Sequence, residues 1–136
     1  MNLSVCIVNL NSLEYLKRCI GSLAKGIKDN TFEVIVVDNN SKDNSILYLK
    51  KFGKFKMSII KNKFNIGYTK AINQAIKKSL GEYILVLNPD SILEDKSIDK
   101  IIEYFKSNKK IGIVGPKVVD KYNHLKHKSY LAPLLF

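Results

Sequence analysis

Five short apolar runs alternate along this chain with segments whose apolar residues recur every three or four positions. The runs are LSVCIVNL (3–10), FEVIVV (32–37), MSII (57–60), EYILVL (82–87) and IGIV (111–114). They are short, often β-branched and bounded by polar residues, glycine or proline, so each reads as a buried strand. Between them, four sets share one helical face each: Leu13, Leu16, Ile20, Leu23 and Ile27; Ile46, Leu49 and Phe52; Tyr68, Ile72, Ile76 and Leu80; Ile98, Ile101, Ile102 and Phe105. The order βαβαβαβαβ predicts an α/β fold, with a mainly parallel central sheet, helices on both faces and right-handed crossovers. With strand order 3-2-1-4, a crevice opens between the first and fourth strands, outside their carboxyl ends.

Punctuation supports these boundaries. Ser12 suits the N-cap of the first helix, and Gly26 lies near its stop. Ser41 is the expected N-cap of the second helix, with Asp43 at the positive end of its dipole and Gly53 closing it. Asn65 is placed to cap the third helix and Gly81 to stop it. Asp95 or Ser97 caps the fourth. Gly115-Pro116 ends the fifth strand, and Val118-Val119 continue it past the proline. From Asp120 the pattern fades, and KYNHLKHKSY followed by LAPLLF carries no assignable element. One domain over residues 1–120 with a poorly patterned tail, 121–136, is therefore expected. A chain of 136 residues suffices for one such core.

Composition bounds the class of function. The net charge is +11 and the pI about 9.6, which would suit an anionic partner. Yet Arg18 is the only arginine, and the lysines are scattered. Bidentate recognition of phosphates and bases favours arginine, so a nucleic-acid-binding role is disfavoured. No stretch has the length of a membrane span, and the N-terminus lacks a basic region followed by an apolar cleavable run. A cytoplasmic place is expected, with a peripheral position at the inner membrane surface as its variant. Cys6 and Cys19 lie among apolar neighbours and read as buried free thiols.

Three strand ends carry short polar residues: Asn9 to Asn11, Asp38 to Ser41, and Asn88 to Asp90. The topology brings all three to one crevice. Pro89 cannot donate to a sheet ladder, so the strand before it stops there, with Asp90 just beyond its carboxyl end. An Asn-Pro turn with Asp90 simply solvated accounts for the tripeptide equally well on these residues alone. The first strand–helix turn holds no glycine, and no Gly-Lys-Ser/Thr loop exists, which disfavours dinucleotide and P-loop chemistry. A diphosphate bound here would need another source of positive charge. A divalent cation held by one or two carboxylates is the obvious one, with Asp90 placed for it and Asp38 near. His124 and His127, in the tail, read as exposed rather than catalytic or metal-binding.

Four motifs in order resemble family 2 glycosyltransferases: Val36-Val37-Asp38-Asn39-Asn40-Ser41, Asn65-Ile66-Gly67 through Asn73, Asn88-Pro89-Asp90, and Val114-Gly115-Pro116-Lys117. The nearest likeness is to the rhamnosyltransferase-like branch, and it covers essentially residues 3–120. The resemblance implies a Rossmann-like GT-A fold that binds a nucleotide-diphosphate sugar. It implies that Val8 and Leu10 meet the base, that Asn11 belongs to the same nucleotide-sugar site, that Asp38 and Asn39 meet base or ribose, and that Asn65, Gly67 and Asn73 wall the nucleotide. Asn88-Pro89-Asp90 takes the place of the Asp-X-Asp metal motif, with Asn88 beside the donor and Asp90 binding Mn2+ or Mg2+. The implied chemistry is inverting transfer to an acceptor hydroxyl, on a glycan, a lipid-linked or another acceptor, as in polysaccharide biosynthesis. Two features depart from the pattern. Asn88 replaces the first acid, and the sequence stops before the acceptor platform and its base carboxylate, so the base is unassigned and Asp120 lies too early for it. A second chain or a homo-oligomer could supply that half. The alternative is a non-catalytic nucleotide-sugar-binding or protein-interaction module on the same fold.

Overall fold

A computed structural model describes residues 2–119, 125–127 and 131–133. The chain divides into two compact units, one ending at Ser97 and one beginning at Ile98. The first contains β1 (Leu3–Asn9), α1 (Leu13–Gly26), β2 (Phe32–Asp38), α2 (Ser45–Lys51), β3 (Met57–Lys61), α3 (Tyr68–Lys78) and β4 (Tyr83–Val86). The four strands form one sheet in the order β3-β2-β1-β4, with every pair parallel. This is the expected order, and handedness explains where the helices lie. Steps from β1 to β2 and from β2 to β3 run one way across the sheet, so right-handed crossovers put α1 and α2 on one face. The step from β3 back to β4 runs the other way and puts α3 on the opposite face.

Alternation along the strands supplies both faces. Cys6 and Val8 of β1 with Ile35 and Val37 of β2 pack against Ala71, Ile72 and Ala75 of α3. The two alanines let this helix sit close to the sheet. Val5, Ile7, Val34 and Val36 point the other way and are fully buried, as are Leu16, Ile20 and Leu23 of α1. Each such aliphatic side chain contributes about 1.5–3 kcal/mol relative to exposure. The expected inner face of α3 is shorter than its four-residue spacing suggested. Tyr68 and Leu80 are 49% and 70% exposed, because Tyr68 opens the helix beyond the sheet and Leu80 follows its end.

Helix ends depart from the expected caps. Ser12 occupies the N-cap of α1, but its hydroxyl donates to Leu10 O. Asp43 serves instead: Oδ2 accepts from Leu13 N at 3.0 Å and Oδ1 from Ser45 N at 3.0 Å, the first residues of α1 and α2. Ser41 does not cap α2, which starts four residues later behind Asn44. Gly67, not Asn65, is the N-cap of α3, at φ +82°, and the Asn65 side chain closes the turn by accepting from Gly67 N. Burial opposes ionisation of Asp43, but donors from Ser45 and Leu13 outweigh it and hold the carboxyl below its usual value. A carboxyl depressed in the folded state adds stability above its unfolded value, near 4, and loses it as the pH falls through the folded value. Asp43→Ala should cost about 1–2 kcal/mol at neutral pH. Thermal melts of Asp43→Asn should also fall less steeply below about pH 4 than those of the parent chain.

Gly81 does not stop α3, which ends at Lys78. It lets the chain pass over β1: a Cβ there would lie 2.6 Å from Leu3 C and from Ser4 N. Ser4 Oγ accepts from Gly81 N at 2.9 Å and donates to the buried Glu33, whose Oε1 also accepts from Leu80 N. Gly81→Ala is therefore expected to cost about 2 kcal/mol by overpacking against backbone. Gly21, in the middle of α1, has open space around it, so Gly21→Ala should add about 0.5–1 kcal/mol. Paired denaturant titrations check both signs.

The second unit holds α4 (Ser97–Ser107, entered from the first unit), β5 (Ile111–Val114), β6 (Val118–Val119), β7 (Leu125–His127) and β8 (Leu131–Pro133). Here the expectations need correcting. β5 does not join the parallel sheet; it pairs antiparallel with β8. Val118-Val119 does not prolong β5, because Pro116 offers no donor; it pairs antiparallel with β7. The connection from β6 to β7 is too short for a parallel crossover and permits only antiparallel return. The tail expected to lack elements contains both partner strands, too short to show a period. His124 lies outside the described residues.

Candidate functional site

The sheet opens where expected. β4 pairs with β1 only as far as Cys6 and Val86, with one more bond from Leu87 N to Cys6 O at 3.0 Å. The parallel register assigns the next donor, opposite Val8 C=O, to residue 89. That residue is Pro89, which has no N–H, so the ladder cannot continue. Beyond it the segment from Asn88 turns away from β1.

On the other bank, the ends of β1 and β2 are laced together. Asn9 and Asp38 are register partners, and both are fully buried. Asn9 Nδ2 donates to Asp38 Oδ1 at 2.9 Å and to Ser41 Oγ at 3.0 Å. Asp38 Oδ2 accepts from Ser41 N at 3.0 Å. Ser41 Oγ accepts from Asn11 N, and Asn11 Oδ1 accepts from Lys42 N at 2.7 Å. Asn11 and Asn40 reach these positions with φ of +50° and +69°, the left-handed region that asparagine tolerates better than most residues. Among the described residues, Asn9 Oδ1 is buried without a hydrogen-bond partner. An unsatisfied acceptor at a strand end is unusual, and a buried water would satisfy it.

A second network of amides fixes the next loop. Asn39, 3% exposed, accepts at Oδ1 from Asn62 Nδ2 at 2.9 Å and donates from Nδ2 to Asn65 Oδ1 at 3.1 Å. Asn62 and Gln74 exchange bonds in both directions, at 3.0 and 3.1 Å. The end of β2, residues 62–67 and the middle of α3 are thereby tied together, with every amide in a complementary orientation.

The third bank is the turn Asn88-Pro89-Asp90-Ser91, closed by Ser91 N donating to Asn88 O at 3.1 Å. Cys19 Sγ–H of α1 reaches the same carbonyl at 3.5 Å. Burial, with the nearby charge of Asp90 adding to it, pushes the Cys19 thiol up to about 12, so it stays protonated and able to donate. Asn88 is exposed, and Tyr68 Oη approaches its Oδ1 at 3.5 Å, bringing the first turn of α3 to this turn. Asp90 is exposed and makes no hydrogen bond or ion pair among the described residues.

The residues singled out from sequence thus fall into two kinds. Leu10, Asn11, Asn65, Gly67, Asn73, Asn88 and Asp90 are exposed around the strand ends, Leu10 by 40%. Val8 is 8% exposed, with its side chain in the core under α3. Asp38 and Asn39 are buried, and their side-chain oxygens are engaged within the protein, so Asp38 does not stand beside Asp90 as a second open carboxylate. Sequence reading missed the supports of the site: Asn9 and Ser41 as partners of Asp38, Asn62 and Gln74 as partners of Asn39, and Cys19 under the turn. Only Asn9 and Ser41 carried a signal, as members of polar strand ends.

The donor set fits a cation that takes most of its ligands from a diphosphate and water: one open carboxylate, with Asn88 two residues before it. Among the described residues no group of three or more His, Cys, Asp or Glu side chains gathers to hold a cation alone.

Comparison with known proteins agrees with this architecture. The family described as "Glycosyl transferase family 2" matches residues 4–132. The chain is 30% identical over 118 residues to poly(ribitol-phosphate) β-N-acetylglucosaminyltransferase TarP of Staphylococcus aureus, covering 82% of this chain and 35% of TarP. Among solved structures, S. aureus TarS 1-349 in complex with UDP superimposes with a TM-score of 0.74 at 26% identity, covering 82% of this chain and 34% of that one. The mannosyltransferase PcManGT from Pyrobaculum calidifontis, in complex with GDP-Man and Mn2+, shares the fold at 14% identity and a TM-score of 0.75, over 82% of this chain and 34% of its own. The chain spans about a third of the length of the relatives it matches. No helix among the described residues is long and apolar enough to cross a membrane. A mainly parallel sheet opened between β1 and β4, the polar strand ends around that opening and the family match over nearly the whole chain lead to one conclusion: this chain belongs to glycosyl transferase family 2.

Proposed function

We propose that this chain forms the donor-binding part of a glycosyltransferase, taking a nucleotide-diphosphate sugar into the crevice between β1 and β4 with a divalent cation at Asp90. The observation that carries this reading is the open carboxylate of Asp90, on a turn that leaves the sheet where Pro89 ends the β1–β4 ladder. The UDP and UDP-GlcNAc complexes of TarS support a uridine diphosphate sugar as the donor class.

In this reading the nucleoside lies against the ends of β1 and β2, over Leu10 and Asn11. Asn9, buried beneath them, holds Ser41 in place through its side-chain amide. Asn65 and Gly67 form the wall that Asn39 holds in place, with exposed Asn73 behind it on α3. Asp38 acts through Asn9 and Ser41, fixing their orientation without touching the ligand. Asp90 would hold a Mn2+ or Mg2+ ion bound with the donor, which would supply charge neutralisation for the departing diphosphate. Asp90 holds the diphosphate end in register, and Asn88 orients it. An acceptor hydroxyl then attacks the anomeric carbon as the nucleoside diphosphate leaves, with inversion. The base and the acceptor platform are assigned to no residue of this chain.

Calorimetric titration tests the reading. UDP and UDP-GlcNAc should bind the full chain with Mn2+ present and at least about tenfold more weakly in EDTA, as expected when a cation bridges protein and phosphates. Equal, weak binding under both conditions would count against it.

A further inference from the structure

Asp90 stands on a segment that is fastened along its length to α1. Cys19, Ser22 and Gly26 lie at i, i+3 and i+7, one buried stripe of that helix. At one end of the segment, Cys19 Sγ–H meets Asn88 O at 3.5 Å. Three residues past Asp90, the buried Leu93 donates its N–H to Ser22 Oγ at 3.0 Å, while the Ser22 hydroxyl donates to Cys19 O at 2.7 Å. Leu93 packs where Gly26 has no side chain: a Cβ at Gly26 would lie 2.5 Å from Leu93 Cβ. Further on, Lys96 N donates to Lys25 O at 3.0 Å, and Lys25–Glu94, Lys28–Asp95 and Lys96–Asp29 pair at 3.6, 2.6 and 3.0 Å. These exposed ion pairs add little individually. The buried contacts have higher stakes, because Leu93 N–H has no water to replace Ser22.

Asp90 therefore lies between two anchors. Toward Asn88 the carbonyl is held by Cys19 and by the turn itself; toward Leu93 the backbone is held by Ser22 and the side chain by the gap at Gly26. A carboxylate that serves as the one open acidic ligand among the described residues for a substrate-borne cation must stand at one place relative to the β1 end. Nothing in its own side-chain contacts puts it there. We propose that Ser22 and Gly26 are positioning residues for Asp90, setting through Leu93 where its carboxylate meets the cation on the donor diphosphate. This rests on the cation-binding reading given above. It also explains why a buried stripe of α1 contains a serine and a glycine.

The test titrates the full chain and its Ser22→Ala, Ser22→Thr and Gly26→Ala variants with UDP, in Mn2+ and in EDTA. Ser22→Ala and Gly26→Ala should lose about 10- to 100-fold of the Mn2+-dependent gain in affinity, the range seen when partners of metal ligands are removed. Affinity in EDTA should stay unchanged, and Ser22→Thr, which keeps the acceptor, should recover most of the gain. A purely structural role would weaken both conditions alike. Hydrogen exchange of the Leu93 amide in the parent chain gives a reading independent of variant folding; strong protection is expected, and exchange at the rate of an open loop would overturn the proposal. If the parent chain shows no Mn2+-dependent gain, the cation-binding reading itself fails. If the parent shows it and both variants keep it in full, only the positioning role is overturned.

Discussion

Asp90→Ala is expected to abolish the Mn2+ dependence of nucleotide binding while leaving the fold intact. Asp90 is exposed and bonds to no described residue, so its removal exposes no buried partner and should change the melting temperature little. Its loss should nonetheless reduce the Mn2+-dependent gain in UDP affinity by about 100-fold or more, beyond what loss of an outer-shell partner costs. Asp90→Asn should behave similarly, since a neutral amide contributes no charge to a hard cation. Asn88→Ala should have a smaller effect, because Asn88 contributes an amide and not a charge. The contrast between unchanged stability and lost metal response separates a ligand role from a solvated turn.

Asp38→Ala should do the reverse. Both Asp38 oxygens accept hydrogen bonds, from the buried Asn9 Nδ2 and from the part-buried Ser41 N. Asn9 Nδ2 keeps its bond to Ser41 Oγ, but each N–H left without an acceptor costs about 1–3 kcal/mol. The sum, about 3 kcal/mol, corresponds to a fall of about 10 °C in melting temperature for a chain of this size. Asp38→Asn should recover only part of it, because one amide group presents one acceptor and one donor to two donors. Differential scanning calorimetry of the three chains checks the order. Stability equal to the parent in Asp38→Ala would mean that the carboxyl does not hold the strand ends together.

The pair shows what the sequence could and could not reveal. The sheet order and the crevice were legible because buried parallel strands demand unbroken apolar runs, and because Pro89 marks where one of them must end. The position of Asp90 past that strand end was legible for the same reason: it follows that proline. The role of Asp38 was harder to see. A polar residue at a strand end reads alike whether it faces solvent or its register neighbour, and here Asn9 is 29 residues away. Separations of 23 and 12 residues hid the amide ladder of Asn39, Asn62 and Gln74, and Ser41 and Asn65 look like helix caps in sequence although their side chains serve the loops. Cys19, Ser22 and Gly26 have the spacing of an ordinary core stripe; only the position of Leu93 shows what that stripe holds. The strands of the second unit are two to four residues long, below the length at which any period can be read.

Paramagnetic broadening by Mn2+ in amide-resolved NMR spectra tests the central claim most directly. With UDP and substoichiometric Mn2+, the amides of Asn88, Asp90 and Ser91 should broaden first, followed by those of Leu10 and Asn11, and without UDP the effect should largely vanish. Broadening centred on the exposed acids Glu94 and Asp95 of the α1-docked segment, or broadening indifferent to UDP, would contradict a cation carried into the β1–β4 crevice on the donor diphosphate.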